Sequence, residues 1–327
     1  MNKEIITIGI DIGGTNTAIG IVDNNNNSLF EESFLTKPDE GIHTFLNRLT
    51  GKIKEAYSRF ESTHSLEGIC VAAPSANYLT GIIESSANLK WGDVNFIEMM
   101  TPHFHVPIKL INDANAAALG EQLIGSAEGM NNFIVITLGT GLGTGIIANG
   151  HLLYGENGFA GELGHTLIEK EGRQCNCGRE GCLETYVSAN GLKRTAFEFL
   201  SKFNNPSELR NKNFEQVNSK YISELASKND PIALKAFDYT GEILGRALAN
   251  VVTCFDPQVI ILSGGLVESN ELLLDPTRKY FEKYLLNLYK GKVRIIKSDL
   301  LNGKAAILGS CSYIRNLINT TVEHSNN

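Results

Sequence analysis

A short segment near the middle of the chain, HTLIEKEGRQCNCGREGC, concentrates residues that bind metal ions. It contains His165 and three of the six cysteines, Cys175, Cys177 and Cys182. Thiolates and an imidazole are ligands that tetrahedral zinc prefers. Cys175 and Cys177 cannot easily bond to each other, because a single intervening residue strains a disulfide, but both can bind one ion. The spacing predicts a structural zinc site with four protein ligands; unligated loop thiols are the alternative.

Two glycine-rich turns form a second candidate site. Residues 5–22 read as two buried strands around a Gly-Gly-Thr-Asn turn, and residues 133–148 repeat this layout, with Gly13 aligned to Gly139. The repeat indicates two related lobes. Neither turn is a Walker loop or a Rossmann fingerprint. Backbone N–H groups of such turns can approach an anion closely, so the pair predicts a polyphosphate site; glycines that only make tight turns are the alternative.

The elements that must position these residues alternate between strands and helices. The pattern predicts an amphipathic helix over 39–60, buried strands over 67–73 and 107–111, a long helix over 231–254, and a strand ending in a glycine turn over 259–265. This alternation through both halves predicts an α/β fold. At 327 residues the chain is long enough for two lobes with a cleft between them.

Composition and charge narrow the class of partner. The net charge of −7 and the lack of a Lys and Arg run in the sequence argue against nucleic acid, so small molecules are expected. The first apolar run ends at Asp11, too early for a signal peptide, and no segment is long enough for a membrane span. We therefore expect a cytoplasmic protein, and in that reducing compartment clustered cysteines favour metal binding over disulfides.

Several segments, in order along nearly the whole chain, resemble the ROK family of sugar kinases and repressors. They are DIGGTN (11–16), NDANAAALGE (112–121), LGTGLGTG (138–145), ELGH (162–165), CNCGREGCLE (175–184) and SGG (263–265). The cysteine loop preceded by Glu-x-Gly-His is close to diagnostic. The resemblance implies an actin-like ATPase (ribonuclease H-like) α/β fold of two lobes around a cleft. A smaller lobe is expected at 1–114, completed by a C-terminal helix at about 306–327, and a larger one, carrying the zinc loop, at 115–305.

The resemblance also implies a site for ATP and Mg²⁺. Asp11 would hold Mg²⁺ through water. The phosphates would lie against the backbone of both glycine turns, at Gly13, Gly14, Thr15, Gly139, Thr140 and Gly141. The adenosine would lie near Gly264 and Gly265.

Asp113 is implied as the catalytic base. It lies where the apolar segment IKLI gives way to a helix predicted from about Asn115, and a carboxylate at such a strand end projects into a cleft. There it could accept the proton of a sugar hydroxyl that attacks the γ-phosphate. A helix cap is the alternative, and it is preferred from the position alone; the family motif reverses that order.

The sugar would be bound by side chains that can take paired hydrogen bonds from vicinal hydroxyls. The matching positions are Asn88, Asn112, Asp113, Glu162, His165 and Glu184. His165 would bind zinc with one ring nitrogen and face the sugar with the other. The segment CVAAPSANYLTG (70–81) departs from the common Gly-x-Pro-Gly turn of the family, so the sugar is less well defined than the chemistry.

We therefore expect an ATP-dependent hexokinase of ROK type, most simply a glucokinase, because the sugar positions form the full family glucokinase set. N-acetylmannosamine kinase, fructokinase and other hexose kinases are the alternatives within the enzyme class. A repressor is disfavoured because Asp11 lies too near the start of the chain for a helix-turn-helix domain to precede it. A non-catalytic sugar-binding protein is disfavoured because no catalytic residue is missing. A homodimer is expected from the resemblance alone.

Overall fold

The computed structural model of the chain describes residues 3–84, 86, 89–300 and 303–325. The strands of this part are β1 (Glu4–Ile12), β2 (Asn16–Asp23), β3 (Ser28–Leu35), β4 (His64–Ala73), β5 (Ala76–Asn77), β6 (Ile82–Ile83), β7 (Val94–Asn95), β8 (Ile108–Asn112), β9 (Phe133–Leu138), β10 (Leu142–Ala148), β11 (His151–Leu152), β12 (Val259–Ser263) and β13 (Arg294–Lys297). The helices are α1 (Ile42–Ser58), α2 (Phe96–Met100), α3 (Asp113–Ile124), α4 (Ala189–Lys202), α5 (Ser219–Ser227), α6 (Pro231–Phe255), α7 (Glu271–Tyr284) and α8 (Lys304–Ser325).

The chain divides into two compact units. The described residues of the first unit fall within 1–129, 152–160 and 299–327, and those of the second within 130–151 and 161–298. This division differs from the expected one because α3 lies in the first unit, where it packs closely against α8. A Cβ atom on Gly120 would come within 2.0 Å of the Ala305 carbonyl oxygen, so only glycine permits this approach.

The first unit is built on a five-stranded sheet of order β3-β2-β1-β4-β8. β1 is antiparallel to β2 and parallel to β4, and β4 is parallel to β8. Isoleucines alternate along β1 on the face that packs with α1: Ile6, Ile8, Ile10 and Ile12. The opposite face carries Gly9, where a Cβ atom would lie 2.4 Å from the Ile307 carbonyl oxygen. Both faces of the sheet are therefore covered, one by α1 and the other by α8.

The second unit has a sheet of the same topology, in the order β11-β10-β9-β12-β13. β9 is antiparallel to β10 and parallel to β12, and β12 is parallel to β13. The two hairpins also match in position, since β1 ends at Ile12 and β9 at Leu138, while β2 begins at Asn16 and β10 at Leu142. The predicted repeat of strand, glycine turn and strand is therefore confirmed.

The other predicted elements are present with small differences at their ends. The helix predicted over 39–60 begins only at Ile42, because Gly41, with a φ of 81°, separates it from a short 3-10 turn at Pro38–Glu40. The long helix predicted over 231–254 is α6. Among the described residues, no helix has the length and apolar character needed to span a bilayer.

Candidate functional site

Two carboxylates of the first unit, Asp11 and Asp113, lie at one edge of its sheet. Asp11 is the second-last residue of β1, and Asp113 directly follows β8. Both strands run parallel to β4, which lies between them, so their carboxyl ends meet at the same edge. Burial raises the pKa of Asp11 to about 7, and the negative charge of Asp113 adds to the rise. Carboxylates perturbed in this way are concentrated at functional sites.

The residue that caps α3 is Asn112 rather than Asp113. Asn112 Oδ1 accepts hydrogen bonds from the backbone N–H groups of Ala114, at 3.0 Å, and Asn115, at 3.2 Å. Asp113 is the first residue of the helix, two positions before the predicted start, and its Oδ1 accepts from Ala114 N at 2.8 Å. Because Asn112 fills the cap, capping does not explain the carboxylate at position 113.

The first glycine turn is held from behind by Thr36. The Thr36 hydroxyl donates to the Gly13 carbonyl oxygen at 2.7 Å, and the Thr36 N–H donates to the Thr15 carbonyl oxygen at 2.9 Å. Gly13 N–H closes the turn by donating to Asn16 O at 2.9 Å. Within the described part of the chain, no residue accepts from the N–H groups of Gly14 or Thr15. These two groups can therefore bind an anion.

Thr36 and its support were not found from the sequence. Arg48 Nη2 donates to the Thr36 carbonyl oxygen at 2.6 Å, and Nη1 donates to Glu40 Oε2 at 2.6 Å. The Thr36 hydroxyl also lies 2.9 Å from the hydroxyl of Thr17. Thr36 lies at the end of the strand after the hairpin, and no local pattern connects it to the turn. A buried threonine of this kind becomes visible only once the strands are paired.

The second glycine turn has a different support, Glu184. Gly139 N–H donates to the Gly141 carbonyl oxygen at 3.0 Å, which makes this turn tighter than the first. Glu184 Oε2 accepts from the backbone N–H of Leu142, directly after the turn, at 2.9 Å. The N–H groups of Thr140 and Gly141 find no acceptor among the residues that the structure describes. The second turn therefore also presents two N–H groups to an anion.

Gly264 and Gly265 lie beside the second turn. Gly264 has a φ of +95°, and a Cβ atom there would lie 2.6 Å from the carbonyl oxygen of Leu138, the last residue of β9. The Leu266 N–H donates to the same oxygen at 2.9 Å. A Cβ atom on Gly265 would meet no atom within 4 Å, so the backbone there borders open space.

The histidine and the three cysteines of the predicted zinc site come together in the second unit. The ligand atoms of His165, Cys175, Cys177 and Cys182 all lie within 4.8 Å of one another. Cys177 Sγ is 3.6 Å from Cys182 Sγ, and His165 Nδ1 is 3.7 Å from Cys175 Sγ. Ligands of a tetrahedral zinc ion with 2.3 Å bonds to sulfur are about 3.8 Å apart. The residues therefore fit a tetrahedral zinc ion.

Cys177 is the most acidic thiol of this cluster. Burial by itself would raise its pKa, but hydrogen bonds from Arg179 and the neighbouring thiols outweigh that effect and lower the pKa to about 6. Arg179 Nη2 also donates to the His165 carbonyl oxygen at 2.7 Å. His165 faces Cys175 with Nδ1, so its second ring nitrogen, Nε2, points in a different direction and can meet a second group.

Three of the predicted sugar contacts, Glu162, His165 and Glu184, are neighbours in the second unit. Burial raises the pKa of Glu162, the charge of the nearby His165 lowers it, and the charge of the nearby Glu184 raises it further. The backbone between Glu162 and His165 passes so near Leu142 that a Cβ atom on Gly164 would lie 2.6 Å from the Leu142 carbonyl oxygen. Asn112 belongs to the first unit, and Asn88 lies outside the described residues.

Arg173 holds the cysteine loop to α4, a role that the sequence did not indicate. Its side chain is only 6% exposed. The guanidinium group donates to both carboxylate oxygens of Glu198 at 2.8 Å and to the Thr185 carbonyl oxygen at 2.7 Å. It also lies 4.3 Å from the centre of the Tyr186 ring. A buried arginine that is fully paired in this way fixes the loop against the helix.

Comparison with known proteins gives one family and two kinds of relative. A family model described as "ROK family" matches residues 7–316. A glucokinase from Halalkalibacterium halodurans is 35% identical over 283 residues, which cover 85% of this chain and 86% of the glucokinase. A xylose repressor from Bacillus spizizenii is 32% identical over 274 residues, which cover 84% of this chain and 65% of the repressor.

A solved structure is similar over almost the whole chain. It is a ROK family glucokinase from Streptomyces griseus in complex with glucose and AMPPNP, with a TM-score of 0.80 and 32% sequence identity. The similarity covers 94% of this chain and 98% of that one. It confirms the predicted fold class, the α/β actin-like ATPase fold.

Proposed function

The chain belongs to the ROK family, and from this premise we propose that it is an ATP-dependent hexose kinase. The reaction is transfer of the γ-phosphoryl group of ATP to the 6-hydroxyl of glucose. A glucokinase relative at 35% identity and a similar glucokinase structure that contains glucose and AMPPNP support this assignment.

The observation that carries the proposal is the position of Asp113. Its carboxylate follows β8 at the sheet edge that also holds Asp11, and Asn112 rather than Asp113 caps the helix behind it. Asp113 accepts the proton of the sugar hydroxyl while that oxygen forms a bond to the γ-phosphorus. The bond from the γ-phosphorus to the bridging oxygen breaks at the same time, and ADP leaves with its electron pair.

Asp11 is the residue that would hold Mg²⁺, through water. Its raised pKa reports a carboxylate that lacks a compensating positive charge, so the site fits a cation. Bound there with ATP, Mg²⁺ would neutralise charge on the phosphates. The N–H groups of Gly14 and Thr15 in one turn, and of Thr140 and Gly141 in the other, bind phosphate oxygens in this proposal. Gly265, with open space beside it, and Gly264 border the adenosine.

The sugar is bound by Asn112, Glu162, His165 and Glu184 in this proposal. Asn112 Oδ1 already accepts two backbone N–H groups, so Asn112 offers the sugar its NH₂ group. The proposed zinc ion, held by His165 and the three cysteines, would have no open position and would fix the imidazole ring rather than activate water.

A sugar-responsive regulator is the second candidate, because a xylose repressor is similar over 84% of this chain. A regulator needs the sugar site but no general base. Within the enzyme class, other hexoses and N-acetylmannosamine are the alternative substrates, since the choice of sugar depends on a few hydroxyl contacts.

The test is an ADP-release assay with Mg-ATP against glucose, fructose, mannose, N-acetylglucosamine and N-acetylmannosamine, each at several concentrations. We expect glucose to support the highest kcat/KM. Highest turnover with another of these sugars would retain the kinase and replace the substrate. Binding of a sugar by calorimetry without turnover on any of them would reject the kinase and favour the regulator.

A further inference from the structure

Glu184 contacts the second glycine turn and lies near Glu162, a carboxylate that is proposed to bind the sugar. Its Oε2 accepts from Leu142 N at 2.9 Å, and a Cβ atom on Gly141 would lie 2.3 Å from that same oxygen. Oε1 lies 3.8 Å from this Cβ position, so Oε2 is the carboxylate oxygen that packs against the turn and Oε1 is the farther of the two.

The backbone around Glu184 is held firmly. Leu183 N–H donates to the Thr166 carbonyl oxygen at 3.0 Å, and the Ser188 hydroxyl donates to the Glu184 carbonyl oxygen at 2.8 Å. Cys182, two residues earlier, belongs to the cysteine cluster. Because the backbone of Glu184 is fixed, its carboxylate can move only if the side chain rotates or the glycine turn moves with it.

We propose that Glu184 couples the sugar site to the second phosphate turn, so that each ligand improves the binding of the other. The inference rests on the proposed function. Glu184 Oε2 binds the backbone of the turn, and Oε1 binds the sugar. A ligand that fixes the carboxylate at one of these two sites therefore also positions it for the ligand at the other site. The coupling is reciprocal, because the effect of sugar on nucleotide affinity equals the effect of nucleotide on sugar affinity.

A pair of substitutions in the turn tests the coupling from the nucleotide side. Gly141→Ala places a methyl group against Glu184 Oε2, whereas Gly139→Ala places one where no atom lies within 4 Å. Calorimetry with glucose, without nucleotide, should show about tenfold weaker binding for Gly141→Ala and a change below about twofold for Gly139→Ala. Equal glucose affinities in the two variants would overturn the inference.

A second pair tests the coupling from the sugar side. Glu184→Ala removes the acceptor for Leu142 N–H, while Glu162→Ala removes a neighbouring carboxylate that is proposed to bind the sugar. Titration with Mg-AMPPNP, without sugar, should show about tenfold weaker binding for Glu184→Ala and wild-type binding for Glu162→Ala. A residue that contacted only the sugar would leave the nucleotide affinity unchanged, and that result would also overturn the inference.

The wild-type chain separates failure of the inference from failure of the proposed function. If it binds neither Mg-AMPPNP nor any of the five sugars, the proposed function is wrong and the coupling with it. If it binds both ligands, but glucose binds equally well with and without Mg-AMPPNP or each variant matches its control, only the coupling is wrong. The zinc content of each variant, measured by elemental analysis, verifies that the cysteine loop is intact.

Discussion

The raised pKa of Asp11 should make the ligand-free protein less stable as the pH rises. In the folded chain its pKa is about 7, against an ordinary value of 3.8, so the folded state binds a proton that the unfolded state releases between these values. This contribution to stability is fully present below pH 3.8 and is lost as the pH rises through 7. The full difference between the two pKa values corresponds to about 4 kcal/mol of folding stability.

Asp11→Asn removes this pH-dependent loss. Asp11 is partly exposed, so solvent screening should reduce the effect to about half of the full value. Between pH 4.5 and pH 8 the free energy of unfolding of the variant should therefore rise by about 2 kcal/mol relative to that of the wild type. The single tryptophan, Trp91, lies in the first unit, and its fluorescence during urea unfolding reports on that unit. The measurement is made without nucleotide or added Mg²⁺, so that no ligand stabilises the carboxylate.

Asp23→Asn is a matched control with the opposite sign. Burial by itself would raise the pKa of Asp23, but hydrogen bonds from Asn27 and Asn25, together with the positive charge of Arg315, outweigh it and hold the pKa below its ordinary value. Its contribution to stability is present above that value and is lost as the pH falls. Asp23→Asn should therefore become less stable relative to the wild type as the pH rises. If the stability gain of Asp11→Asn were constant from pH 4.5 to pH 8, the reasoning about Asp11 would be refuted.

Three further substitutions separate the roles proposed for individual residues. Asp113→Asn should keep glucose affinity and lower kcat by about 10²- to 10⁴-fold, because the amide can still accept the adjacent N–H but cannot take a proton. Cys177→Ser should lose the zinc measured by elemental analysis and weaken glucose binding in the same variant, whereas Cys254→Ser, outside the cluster, should retain both. Thr36→Val should weaken Mg-AMPPNP binding by about fivefold with glucose affinity unchanged, while Thr50→Val, which loses only a bond within its own helix, should bind as the wild type.

Each of these predictions has a result that contradicts it. Near-normal turnover in Asp113→Asn would exclude the general base. Loss of zinc in Cys177→Ser with unchanged glucose affinity would exclude the double role of His165. Equal nucleotide affinities in Thr36→Val and Thr50→Val would show that the first turn does not depend on the threonine behind it.

Features that depend on short stretches of chain could be predicted from the sequence. The cysteines of the candidate zinc site lie within eight residues, and His165 is ten positions before the first, so their spacing alone predicted a metal-binding cluster. The two glycine hairpins were also recognisable, because alternating isoleucines and a glycine turn are local signals. The α/β class followed from the order of these elements. The role of Asp113, in contrast, could not be read from its position, because an aspartate there is also a common helix cap; the structure places that cap on Asn112.

The hydrogen bonds that support the site join distant segments, and no signal in the sequence indicates them. Thr36 is 23 positions from Gly13, Glu184 is 42 positions from Leu142, and Arg173 is 25 positions from Glu198. Hydrogen bonds between such residues form only after strands and loops have packed, so no periodicity or motif records them. The sequence by itself therefore determined which side chains could perform the chemistry, whereas tertiary packing alone decided which backbone groups and carboxylates hold them in place.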